Sequence, residues 1–74
     1  MNIGRVIKKE REERGWTQRY LAKELGLTPT GLWRIETNRT QPRQNVVLKF
    51  CELTGYALAR FYIESFEPTD YMHL

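Results

Sequence analysis

The sequence predicts an all-α domain of five short helices, and three observations carry that expectation. Apolar residues recur three and four apart along most of the chain, the period of a helix with one buried face. Chain-breaking residues interrupt the pattern at Gly15, Gly26, Asn38, Pro42, Gly55 and Pro68. Thr17 and Thr28 each stand just before an apolar-periodic stretch, where a hydroxyl can accept a hydrogen bond from a free amide of the first helical turn. The 74 residues make one domain, near the lower limit at which a core is self-sufficient, so association between copies is an available further source of stability. Residues 1–67 are assigned to that domain and 68–74 to a C-terminal tail.

The first helix is expected over residues 3–14, IGRVIKKEREER, with Ile3, Val6 and Ile7 on one face and Gly15 as its stop. Most of its charge belongs to a solvated surface. Arg11 is the exception: it lies one turn after Ile7, which puts its guanidinium on the inward edge.

Residues 17–25 and 28–36 form a pair of helices around Gly26. Leu21, Ala22, Leu25, Leu27, Leu32 and Ile35 place two apolar stripes opposite each other across one break. Ala22 lets the backbones approach, and Gly26 supplies the left-handed conformation that a short turn between helices needs. Pro29 suits the first position of the second helix. Trp16 with Leu21, and Leu27 with Leu32, occupy the positions of hydrophobic staples, one before the cap and four after it. With Leu32 and Ile35 inward, Thr30, Gly31, Trp33 and Arg34 face outward or sideways. Gly31 weakens the helix by about 1 kcal/mol relative to alanine, which is tolerable where a backbone must come close to a partner.

A fourth helix, from about residue 43 to 53, is expected to bury Val47, Leu48, Phe50 and Cys51. Cys51 has no second cysteine to pair with and the only histidine, His73, lies in the tail, so it reads as a small buried hydrophobe and not as a metal or redox group. A fifth helix over residues 56–66 offers Leu58, Phe61, Tyr62 and Phe66 for burial. Tyr56, Phe61, Tyr62, Phe66 and Tyr71 together exceed what so small a core needs. The surplus is expected to form an interface between copies, with Phe61, Tyr62 and Phe66 foremost and Tyr71, Met72 and Leu74 of the tail as candidates to extend it.

The stretch TQRYLAKELGLTPTGLWRIETN, Thr17 to Asn38, resembles the helix-turn-helix of the XRE family, the Cro and repressor proteins of lambdoid phages. Gln18, Leu21, Ala22, Leu25, Gly26, Leu27, Leu32, Ile35 and Glu36 stand where that family has its framework, and the resemblance extends over roughly residues 3 to 63. It implies a lambda-repressor-like fold that binds double-stranded DNA, with the second helix lying across the backbone and residues 28–36 as the recognition helix in the major groove. It also implies a structural ion pair between Arg11 and Glu36.

On that resemblance the reading face follows. Arg34 is the foremost candidate for a base contact, because its fork can take O6 and N7 of a guanine together. Thr30 can bond a base edge or pack its methyl on a thymine, and Thr28 can combine capping with a phosphate contact. Gln18 offers a neutral donor near phosphate, while Arg19 and Lys23 either approach phosphates or serve solubility. Trp33 departs from the family, which usually has a small polar residue there. Its indole either packs on sugars and thymine methyls or covers apolar surface beside the fourth helix. Thr37 and Asn38 replace the family's glycine-bearing turn, with Asn38 as the left-handed residue. Arg39 and Arg43 flank the polar loop and are expected to neutralise phosphates.

Charge distribution agrees. Residues 1–45 hold ten Lys or Arg against five Glu, a net of +5, whereas residues 46–74 hold two against four acidic residues, a net of −2. That asymmetry fits a nucleic-acid face in the N-terminal part. No secretory signal or long apolar run occurs, so a reducing cytoplasm is expected and a membrane is not. No acid–base pair, nucleophile beside a histidine, phosphate-cradling glycine loop or metal-ligand spacing can be assembled, which leaves no expectation of catalysis, cofactor or metal. The expected function is a homodimeric, sequence-specific repressor on a two-fold symmetric operator, a pattern that suits a phage switch, a restriction-modification controller or an antitoxin alike. The alternative is a module that keeps the fold and binds a protein partner.

Overall fold

Residues 2–66 are described by a computed structural model. It contains the helices α1 (Ile3–Glu13), α2 (Gln18–Glu24), α3 (Pro29–Glu36), α4 (Gln44–Thr54) and α5 (Leu58–Ser65). The expectations for residues 67–74, including Tyr71, Met72, Leu74 and the stop at Pro68, lie outside the described residues. None of these helices is long and apolar enough to cross a membrane.

Local chemistry sets the helix starts. The Asn2 side chain accepts from the Arg5 amide at 3.0 Å, Thr17 Oγ1 from the Tyr20 amide at 3.0 Å, and Thr28 Oγ1 from the Gly31 amide at 3.0 Å. Each satisfies one of the orphan amides of a first turn, a cap worth about 1 kcal/mol. Gly26 sits at φ 71°, and the Leu27 amide donates back to the Ala22 carbonyl at 2.8 Å, so the chain reverses within two residues of leaving α2. Trp16 and Leu27 both pack against the core, as residues of hydrophobic staples do.

Packing then assembles these short helices around one core. α3 lies against both α2 and α1, and α5 lies against α1 and α4. Ile7, Leu21, Ala22, Leu32, Val47, Phe50 and Phe61 are sealed from solvent. A fully buried side chain of this size contributes about 1.5–3 kcal/mol, so no single helix of eleven residues or fewer can be stable without its neighbours.

Three expectations need correction. α4 buries Val46 in place of Leu48, which is 46% exposed. Its apolar residues occupy too wide an arc for one face, and the core takes the stripe through Val46, Val47, Phe50 and Cys51. Phe61 is not at a surface available to a second copy. It is 0% exposed and ringed edge-on by Phe50, Tyr56 and Tyr62. Glu10 is not solvated with the rest of the α1 charges: it is buried and paired with Arg14 at 2.5 Å.

Gly4 is a contact the sequence reading did not anticipate. A Cβ there would lie 1.9 Å from the Ile35 carbonyl oxygen, so only glycine lets α1 come this close to α3. The N-terminal turn is also fastened to the end of α5, with the Asn2 amide donating to the Ser65 carbonyl and Arg5 Nη2 to the Glu64 carbonyl at 3.3 Å.

Candidate nucleic-acid interface

Behind the exposed face of α3 stands a buried polar cluster. Arg11 Nε donates to Glu36 Oε2 at 2.7 Å and Nη2 to Oε1 at 3.1 Å, a two-pronged pair with the Glu36 side chain 1% exposed. Arg11 Nη1 also donates to the Trp16 carbonyl at 2.9 Å, which ties α1 to the entry of α2. The Glu36 hydrogen bond raises the Arg11 pKa from its ordinary value against the opposing pull of burial. Gln18 joins them. Its carboxamide nitrogen donates to Glu36 Oε1 at 2.9 Å, so the donor expected near phosphate is directed inward, with one amide hydrogen left over. Gln18, Arg11 and Glu36 thus hold the starts of α2 and the end of α3 in one network, and no buried side-chain polar atom among the described residues lacks a partner.

In front of that cluster α3 presents the face expected from the sequence. Leu32 and Ile35 point into the core, while Thr30, Trp33 and Arg34 are exposed and Gly31 is half-buried. Two hollows flank this ridge. One is lined by Gln18, Pro29, Thr30 and Trp33. The other runs between α3 and the start of α4, with Leu27, Gly31, Ile35 and Val46 as its apolar wall and Arg34, Thr40, Gln41 and Arg43 at its edge. Thr40 and Gln41 were not singled out from the sequence, which offered no signal for them beyond a polar loop.

Thr28 both caps α3 and shapes it, because a Cβ on Gly31 would stand 3.1 Å from its hydroxyl oxygen. Glycine therefore gives the capping hydroxyl room, a reason internal to the protein. After α3 the chain turns at Asn38, the one non-glycine residue among those described with positive φ, at 62°. The Arg39 and Thr40 amides both donate to the Arg34 carbonyl, at 2.8 and 3.2 Å, and Thr37 Oγ1 donates to the Trp33 carbonyl at 2.8 Å. This returns the loop over the end of α3, where the Arg39 guanidinium lies 5.0 Å from the centre of the Trp33 ring. Trp33 therefore meets the loop that follows α3.

The arrangement brings Thr28, Thr30, Gly31, Trp33, Arg34, Asn38, Arg39 and Arg43 to α3 and the loop that follows it. Arg34, Arg39 and Arg43 are exposed. The Cys51 thiol is sequestered on α4, where burial pushes its pKa up. No group of three or more metal-binding side chains occurs among the described residues.

No curated protein and no solved structure matches the chain. A family match does exist: residues 7–61 match the helix-turn-helix family HTH_3, of the XRE type that includes Cro- and C1-like proteins. The match spans all of α2, α3 and α4 with the greater part of α1 and the first half of α5, and the five-helix, all-α architecture is consistent with that family's fold. The chain belongs to the XRE-type helix-turn-helix family of non-catalytic DNA-binding domains.

Proposed function

We propose that the protein is a sequence-specific transcriptional regulator, a homodimeric repressor that sets α3 into the major groove of a two-fold symmetric operator. One observation carries the reading. Every cationic side chain on α3 and its following loop is exposed and makes no hydrogen bond or ion pair to another described residue, although the fold behind them is fully satisfied. Arg34 is the base-reading residue, with Thr30 beside it. Thr28, Arg39 and Arg43 take phosphates, and Gln18 supports the site from behind while keeping one amide hydrogen for the backbone. The outer face of α5 supplies the contact between copies. Ile63, 63% exposed, is its foremost apolar residue, with Tyr62 and Phe66 at its margin. Two α3 helices would then stand about 34 Å apart, one turn of DNA. The proposed place of action is the cytoplasm, on the operator itself, with repression following from occupancy.

Selection from a randomised duplex library at near-physiological salt tests this. The expected result is a symmetric motif with half-sites about one helical turn apart. Enrichment of a single, unsymmetric half-site would retain the DNA reading and remove the dimer; no enrichment would remove both and favour a protein partner. Sedimentation of Ile63→Glu, expected to be a folded monomer, tests the α5 contact separately.

A further inference from the structure

We propose that Trp33 is a positioning residue: its indole face holds the Arg39 guanidinium in the orientation from which it meets the DNA backbone beside α3. The proposal rests on the DNA-binding reading and assigns Trp33 a role that neither base contact nor cover for α4 provides.

Three arginines among the described residues lie over aromatic rings, and comparing them isolates this one. Arg14, over Trp16, spends its donors on the Glu10 carboxylate, the Glu10 carbonyl and the Thr54 carbonyl. Arg60, over Tyr56, donates to Glu64 at 3.0 Å. Arg14 is closed into a structural cluster, and Arg60, though 70% exposed, keeps a carboxylate partner on its own helix. Arg39 lies over its ring at a similar distance, yet its guanidinium makes no hydrogen bond or ion pair to any described residue. Stacking engages the flat face of a guanidinium and leaves the N–H groups along its edge free. That edge is the fork that matches a phosphate.

The backbone around the pair is held as well. Trp33 is fixed within α3, its carbonyl accepting from both the Thr37 amide and the Thr37 hydroxyl. Arg39 follows the left-handed Asn38 with its amide on the Arg34 carbonyl. Two anchored backbones and one ring contact restrict an exposed arginine that would otherwise surrender its rotamer freedom on binding. Trp33 itself is 42% exposed, so the ring is not retained by core packing.

The test is a double-mutant cycle on the full chain. Affinity for the selected site and for a random-sequence duplex is measured at several salt concentrations for wild type, Trp33→Ala, Trp33→Phe, Arg39→Ala and the Trp33→Ala/Arg39→Ala double variant, with thermal melting as the control for folding. Trp33→Ala is expected to weaken both duplexes equally, by about two- to fivefold. The double variant should bind no worse than Arg39→Ala, because the indole acts only through the arginine. Trp33→Phe should recover most of the loss, since it keeps an aromatic face. Additive losses overturn the proposal, as does a change in base preference on Trp33→Ala that persists without Arg39. Absence of salt-sensitive binding by the wild type would overturn the DNA-binding reading and this proposal with it, an outcome distinct from additivity in a protein that binds.

Discussion

The arginines of α1 and α5 and those of α3 with its loop have opposite fates in one small fold. Arg5, Arg11, Arg14 and Arg60 each have a partner within the protein, respectively the Glu64 carbonyl, Glu36, Glu10 and Glu64. Arg34, Arg39 and Arg43 make no side-chain hydrogen bond or ion pair to any described residue, with the Trp33 ring beside Arg39. The same residue type therefore does structural work where carboxylates and carbonyls surround it, and is held available where they do not. Net charge does not separate these roles. What separates them is the placement of acids: α3 has a single carboxylate, Glu36, and it points backward into the Arg11 pair. No carboxylate on α3 competes with an incoming phosphate for Arg34.

If that division is right, substitutions in the first group should act on stability and those in the second on DNA affinity with melting unchanged. The largest effect is expected from Phe61→Glu. It removes a sealed aromatic, a loss of about 3–5 kcal/mol for truncation alone, and adds a buried charge, so circular dichroism should show an unfolded chain. A folded protein would place Phe61 at a surface after all. Next comes Arg11→Met, which strands the Glu36 carboxylate and should lower stability by about 3 kcal/mol or more in denaturant titration. Adding Glu36→Leu should restore much of it, because two apolar groups leave no uncompensated charge; a double variant as weak as the single one would show that the pair itself, not the stranded charge, matters.

On the open side, Arg34→Ala should cost about 1–3 kcal/mol on the selected operator and relax preference at one base position, with an unaltered melting curve. An unchanged preference in a repeat library selection would remove Arg34 as a reader. The smallest effect belongs to Arg43→Ala. It should weaken all duplexes alike and reduce the slope of log affinity against log salt by about one, and a sequence-selective loss in the same titration would move Arg43 from phosphate to base.

Much of the scaffold was legible because its signals are local. Thr17, Thr28 and Pro29 mark helix starts by hydrogen-bonding chemistry available within four residues, and Gly26 and Asn38 mark turns by the backbone angles they tolerate. The Arg11–Glu36 pair was legible only through the family resemblance, since 25 residues separate its members. The outward set on α3 followed from Leu32 and Ile35 alone, as a helix that commits two inward positions has committed the rest. What stayed hidden involved choices between equivalent residues. α4 offers apolar side chains around too much of its circumference, so periodicity cannot choose Val46 over Leu48. Gln18 has donors that suit either a phosphate or a carboxylate, and Glu36 happens to stand 2.9 Å away.

By itself the sequence determined that this chain is five amphipathic helices around a helix-turn-helix, with a basic N-terminal part. Those properties follow from period, caps and composition, which act within a turn or two of the residue concerned. The tertiary structure alone decided that Phe61 closes the core, that Gly4 admits the Ile35 carbonyl, and that Arg39 lies on Trp33. Each depends on the distance and angle between elements far apart or turned back on one another, which no local pattern encodes. Those distances are set only when the whole apolar surface is buried at once.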